Sequence, residues 1–414
     1  MPEYYDALEH RDPQERERAL MAALPAQLEH AKKSAPAYAR LLAGVDPRDI
    51  TTRKALAQLP VTRKAELKDF QHAAPPFGGL AATAPGRLAR LFMSPGPIFD
   101  PEGRSADWWR MARPMFAAGI RAGDIVQNCF SYHFTPAASM MEGGAFALGC
   151  AVIPAGTGQT EMQVQAMAEL RPKAYVGTPS FLKIILEKAL ETGVDVSSVG
   201  TAVVGAEALA PSLRKWLNEH GVARVQQIYA SADLGNIGYE SEALEGMIID
   251  EQLIVEILRP GTGDPVAQGE VGEVVVTPLN ADYPLIRFAT GDLSALLPGV
   301  SPCGRTNMRI RGWMGRADQT TKVKGMFVHP FQVAQVAKRH QEILKARLVI
   351  DNPGGQDRMT LACEVADASP PASLAQAIAE SLRDVTKLRG EVAFRKQGEL
   401  PNDGKVIEDA KKYD

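Results

Sequence analysis

Hydrophobic positions along the chain change period twice, and each change marks a different architecture. Near the amino end Asp12-Pro13 reads as a cap followed by a first-turn proline, and Leu20, Met21, Leu24, Leu28 and Ala31 then recur near helical spacing. This predicts a helical amino-terminal region. From about Ile125 short apolar runs take over (IVQNCF, AVIPAG, AYVGTP, TAVVGAE, VQQIYA), separated by helical stretches such as residues 161–170. That alternation predicts a parallel βαβ core. After Gly238 the runs tighten to MIID, LIVEIL, GEVVVTP and LIRFATGDLSALL, with Gly and Pro between them, as in an antiparallel sheet or small barrel appended to the core. Past Asp318 the runs ARLVID, MTLACEV and VAFRK surround two helical patterns, enough for a small α+β domain. The expected organisation is α/β: a large domain over 1–317 with mixed βαβ sheets and a small barrel-like part, then a small α+β domain over 318–414. No fixed-period repeat is visible.

Length agrees, since 414 residues exceed what one hydrophobic core usually serves. With 46 basic and 49 acidic residues the formal net charge is −3, which offers no field to draw nucleic acid or an acidic membrane surface. A small-molecule substrate is the default. Cys129, Cys150, Cys303 and Cys363 are far apart and form no CxxC pair, which argues against a zinc site or a disulfide framework. The charged start MPEYYDALEHRDPQERER has neither a signal-peptide pattern nor an apolar run of spanning length, so a cytoplasmic location is expected.

Three clusters carry chemistry. YPLIRFATGD at 283–292 reads as a strand leading into a turn, where the Asp292 carboxylate can accept from two vicinal ribose hydroxyls. Alone, TGD is more often a capped turn. RGWMGRADQTTKVKGMFVHP at 311–330 packs basic residues, glycines and an Asp into a strand-turn-strand stretch that by itself is an exposed basic hairpin. LPNDGK at 400–405 builds a loop projecting Lys405, which alone is a solvated tail.

Together and in this order, the three resemble the late core motifs of adenylating ligases. AGTGQTE at 155–161, TPSF at 178–181, VVGAEAL at 203–209 and YASAD at 229–233 resemble segments of the phenylacetate-CoA ligases. The resemblance implies ATP, Mg²⁺ and coenzyme A as cofactors and a small carboxylic acid as substrate. The acid attacks the α-phosphate to give acyl-AMP and pyrophosphate, and the thiol then displaces AMP. It further implies Lys405 as the cation for adenylation, Asp292 on the ribose and Arg316 near ribose and phosphate. Gly205, Ala206 and Glu207 would line the adenine, with Tyr229 and Ser231 nearby. Asp318 would be the hinge of domain rotation, and Lys324-Gly325 would enter in the thioester-forming state. A homodimer is expected from family likeness.

The pattern departs from the family in places. The Ser/Thr/Gly-rich phosphate loop is replaced by FMSPGPIFDPEG, where Ser94 and Gly96 keep some donors but Pro95 and Pro97 remove amides and no loop lysine follows. Asp233 stands where a glutamate is expected to bind Mg²⁺, and Gln319 replaces the second Asp of the hinge motif. Phe130, Tyr132, His133 and Thr135 fall where the family lines its aryl pocket, with Thr135 in place of an aromatic residue. His133 reads equally as a core histidine or as a polar contact to the acid, and a polar pocket would favour a small or hydroxylated acid. Two alternatives stand beside the ligase: a catalytically silent binding protein of the same fold, suggested by the altered loop, and an adenylating enzyme with a non-CoA acceptor.

Overall fold

The computed structural model describes residues 3–94, 96–259, 263–324, 326–353, 356–366, 370–401 and 406–411, and the side chains of Lys322 and Asp318 are not among what it describes. The chain forms two compact units, Met1–Thr290 with Ser294–Trp313, and Gly291–Leu293 with Met314–Asp414.

The large unit opens with the helix Pro13–Ser34, capped by Asp12, whose carboxylate accepts from the amides of Gln14 and Glu15. Its buried stripe contains Leu20, Met21, Leu24, Leu28 and Ala31, as the spacing predicts. Arg16 on the same helix is buried and bonds Glu251 at 2.8 Å.

A nine-stranded sheet forms the centre. Strands Ala151–Ile153, Ile125–Asn128, Ala174–Gly177, Thr201–Val204 and Arg224–Ser231 pair in that order, all parallel. Helices Ala137–Ala147, Thr160–Leu170, Pro179–Thr192 and Pro211–Glu219 connect them. On Pro179–Thr192, Leu182, Ile185, Leu186 and Ala189 share one buried face against Tyr175 and Val204, as helical spacing requires. Beyond Arg224–Ser231 the sheet turns antiparallel through Gly235–Tyr239, Met247–Ile249, Arg309–Ile310 and Leu296–Leu297. A second, four-stranded sheet runs Thr62–Arg63, Phe288–Ser294, Gly272–Pro278, Leu253–Leu258. Leu253–Leu258 and Gly272–Pro278 are buried along their whole length, so their sequences are mostly apolar runs rather than alternating ones. The segment 92–103 expected to be a loop is instead mostly a hairpin, Arg90–Ser94 against Ile98–Glu102, pairing Phe92 with Asp100.

The small unit pairs Glu391–Lys396, Arg358–Val365, Ile343–Asp351 and Ile407–Asp409 in one sheet, with helices Pro330–Arg339 and Ala372–Thr386 packed through Val333, Val336, Ile378 and Leu382. The hairpin Thr321–Val323 with Met326–Val328 carries Lys324 at its turn, whose amide donates to Asp357 Oδ2 at 2.6 Å.

Candidate active site

Ligands of open α/β sheets bind beyond the carboxyl ends of the parallel strands, and the expected site residues fall there. Phe130 follows Ile125–Asn128, Ala206 follows Thr201–Val204, and Ser231 ends Arg224–Ser231. With Ser94 and Thr135 they line one cavity of about 200 Å³ in the large unit. Met140 and Met141, near the start of Ala137–Ala147, complete its wall with Met111, so most of the lining is apolar. The three methionines escape a sequence reading because they carry no motif and recur like any core residue.

Tyr132 and His133 do not line this cavity, and both are exposed. The Tyr132 hydroxyl donates to Glu142 at 2.8 Å and accepts from Asn128 Nδ2 at 3.1 Å. Of the two readings left open for His133, neither the core histidine nor a contact within this cavity is seen, and the next residues fold outward through Phe134, which adopts a positive φ of 58°. Around the strand end, Gly205 is pressed so close to Ile228 that a Cβ would meet Cγ1 at 2.9 Å. Ala206 follows with φ 64°, and Glu207 Oε1 accepts from the Ser180 amide at 2.7 Å. The Tyr229 hydroxyl donates to Thr290 Oγ1 at 3.3 Å. Ser94 donates to the Ile98 carbonyl at 3.3 Å, within its own hairpin.

Asp233 is buried, and its Oδ2 meets Lys64 Nζ at 2.5 Å. Asp100 is also buried, and burial followed by the Asp233 carboxylate raises it well above the usual carboxylate range. Sequence reasoning missed Lys64 and Asp100. Lys64 lies 169 positions from its partner, and an Asp within IFDPE reads as the solvent side of a strand.

In the small unit Asp292 and Arg316 meet at 3.3 Å. The strand Phe288–Ser294 runs through Asp292 instead of ending in the expected turn, and Asp292 forms a bridge with Arg316. Gly291 makes this approach (φ 76°): a Cβ there would lie 2.8 Å from Arg316 Nη2. Asp318 sits in the 3₁₀ turn Ala317–Gln319. Gly325 and Lys405 lie outside the described residues. Among the described residues no helix is long and apolar enough to cross a membrane.

Residues 106–278 match the family model described as AMP-binding enzyme. The match covers the central part of the chain, and the class it indicates is that of the AMP-binding enzymes. The chain is 32% identical to a phenylacetate-coenzyme A ligase of Thermus thermophilus over 349 residues, covering 80% of this chain and 77% of the relative. A phenylacetate-coenzyme A ligase of Escherichia coli is 30% identical over 360 residues, covering 83% and 80%. The chain belongs to the phenylacetate-CoA ligase family. In fold it is similar to a crystal structure of an open conformation of 2-hydroxyisobutyryl-CoA ligase in complex with 2-HIB-AMP and CoA, with a TM-score of 0.85, 24% identity and coverage of 97% and 93%. An anthranilate CoA ligase structure gives a TM-score of 0.53 at 16% identity, over 79% and 67% of the two chains.

Proposed function

We infer that this protein is an AMP-forming carboxylate-CoA ligase whose acid carries a compact apolar tail, aryl or branched aliphatic. The observation that carries this is the methionine- and phenylalanine-lined cavity of about 200 Å³ at the strand ends of a family member. An acid carboxylate placed at its mouth attacks the α-phosphorus of ATP. A carboxyl-oxygen–phosphorus bond forms, the bond to the bridging oxygen breaks, and pyrophosphate leaves. The CoA thiolate, having lost its proton to solvent, then attacks the acyl carbon and AMP departs.

Within this reading Asp233 holds Mg²⁺. Its Oδ1 has no hydrogen-bond partner, and a hard carboxylate oxygen suits that ion. Bound Mg²⁺ neutralises charge on the phosphates. Asp292 accepts from the ribose hydroxyls, Arg316 orients Asp292 and faces the phosphate, and Lys405 supplies the cation of the first half-reaction. Coenzyme A as acceptor follows from family membership, and we propose a homodimer on the same ground.

One observation favours the silent binding protein instead. The hairpin Arg90–Ser94 with Ile98–Glu102 spends backbone amides and the Ser94 hydroxyl on itself, where a phosphate cradle needs them. Mass spectrometry of protein incubated with Mg-ATP, CoA and a panel of aryl and aliphatic acids separates the two. AMP with one acyl-CoA, lost by about a hundredfold or more in Lys405→Ala, is the expected result. Folded protein that retains an acid from the panel but releases no AMP would establish the silent reading.

A further inference from the structure

A cavity lined by methionines is by itself a poor gauge of size, because an unbranched thioether with several rotatable bonds re-packs around many shapes. Such a wall selects only when the backbone beneath it is fixed. Met111 meets that condition. Its amide donates to Asp107 Oδ1 at 2.7 Å, and the next amide, of Ala112, donates to Oδ2 at 2.9 Å. The helix Ala137–Ala147 lies so close that a Cβ on Gly144 would stand 2.6 Å from the Met111 Cβ. Asp107 and Arg110 both hold a positive φ, 47° and 62°. Residues with a Cβ adopt that conformation rarely, and it persists only where surrounding contacts enforce it.

Arg110 supplies those contacts. It is 9% exposed, and its Nη2 donates to the carbonyl of Leu234 and, at 3.2 Å, to that of Asn236. Its Nε lies 3.1 Å from Asp250 Oδ1. The Asn236 amide returns a bond to the Trp109 carbonyl at 3.0 Å. Residues 108–111 are thus tied to the turn that follows Arg224–Ser231. Ala230, Ser231 and Ala232, just before the residues that Arg110 grips, form another part of the cavity wall that Met111 lines. One guanidinium fork therefore joins two parts of that wall.

We propose that Arg110 is a positioning residue that sets the width of the acid cavity. By holding Met111 at a fixed separation from Ala230, Ser231 and Ala232, it lets the site take single-ring or branched acids and reject fused-ring ones. This rests on the ligase reading, which gives the cavity to the acid. The role needs the fork and not only the charge. A lysine at 110 keeps a cation beside Asp250 but ends one atom short of the guanidinium nitrogen that reaches the two carbonyls.

Isothermal titration of the full chain with phenylacetate and with naphthylacetate, ATP and CoA omitted, reads the size preference without any chemistry. Wild-type protein should bind phenylacetate about tenfold or more tightly than naphthylacetate, because a pocket of fixed volume excludes the second ring. Arg110→Lys should stay folded, since Asp250 keeps its cation, and Arg110→Met is the harsher change. Each should bring the two affinities to within about threefold of one another. A merely structural role would lower the share of protein able to bind and leave the ratio where it was. A folded variant of either kind that keeps the wild-type ratio, or wild-type protein that binds both acids alike, would overturn the proposal. AMP release is assayed separately on the wild type, so failure of the ligase reading shows there and not in the ratio of affinities.

Discussion

The hairpin of residues 90–102 and the strand Phe288–Ser294 are both places where nucleotide contacts are expected, and they are built in opposite ways. In the hairpin, cross-strand pairing from Arg90 to Glu102 absorbs the backbone groups, and Ser94 bonds its own neighbour Ile98. In the strand, Gly291 lets Arg316 approach, and Asp292 and Arg316 hold each other with oxygens and guanidinium still near solvent. The contrast teaches that a motif survives as chemistry when its polar atoms are fixed by one another, and is lost when the main chain satisfies them first. Within the strand a further division appears. Arg287 has its side chain turned inward, only 1% exposed, in a bidentate pair with Glu256 at 3.0 Å, while its Nη1 donates to the Ala57 and Leu59 carbonyls. One end of the motif serves the fold, and the other carries the carboxylate proposed to meet the ribose.

The sharpest way to separate those ends is Glu256→Gln, which strands the Arg287 guanidinium in the interior. Breaking one side of a buried pair costs about 3–5 kcal/mol, and urea unfolding should register that loss. Steady-state kinetics on protein that stays folded should keep the KM for ATP. A matching rise in that KM would mean that the strand is not divided in this way.

Asp292→Asn comes next. The Asp292–Arg316 pair is partly exposed, so its removal should hardly move the melting temperature. A hydrogen bond to a charged acceptor is worth about 1.5–3 kcal/mol, and the KM for ATP should therefore rise about tenfold or more. Lost stability with an unchanged KM would make Asp292 a structural residue and erase the contrast with Arg287.

Ala137→Phe tests the cavity at the strand ends of the large unit. Ala137 opens the helix Ala137–Ala147 and lines the pocket. A phenyl ring there should cut kcat/KM for bulky acids by about tenfold or more while sparing acetate, since pocket volume discriminates at about 1–3 kcal/mol per methylene. Equal losses for all acids would place the acid elsewhere.

What the sequence made readable follows from how local each signal is. Helix and strand identity rested on period, and the runs at 125–128, 151–153, 174–177, 201–204 and 224–231 all became parallel strands. Asp292 and Arg316 stand out in the sequence because spacing along the chain carries the motif, and the structure brings the two together at 3.3 Å. Lys64 does not, because its pairing with Asp233 arises only when a short 3₁₀ turn and the segment after Arg224–Ser231 converge. Tyr132 and His133 align with the family's pocket positions but do not line the cavity, since alignment gives a position and not the side a loop residue faces.

The smallest effect is expected from Ser94→Ala, and it bears most directly on the hairpin. If the hydroxyl gripped phosphate, its removal would forfeit a charge-assisted hydrogen bond and raise the KM for ATP about tenfold. The hydroxyl instead donates to the Ile98 carbonyl at 3.3 Å, a long bond inside the hairpin. Its loss should therefore change the KM by less than about threefold, since a neutral bond of this kind contributes about 0.5–1.5 kcal/mol and contributes it to the fold. A tenfold rise would mean that the hairpin opens on the nucleotide and that Ser94 exchanges one acceptor for another. In that case both regions contact the nucleotide, and they differ only in what they bind when it is absent.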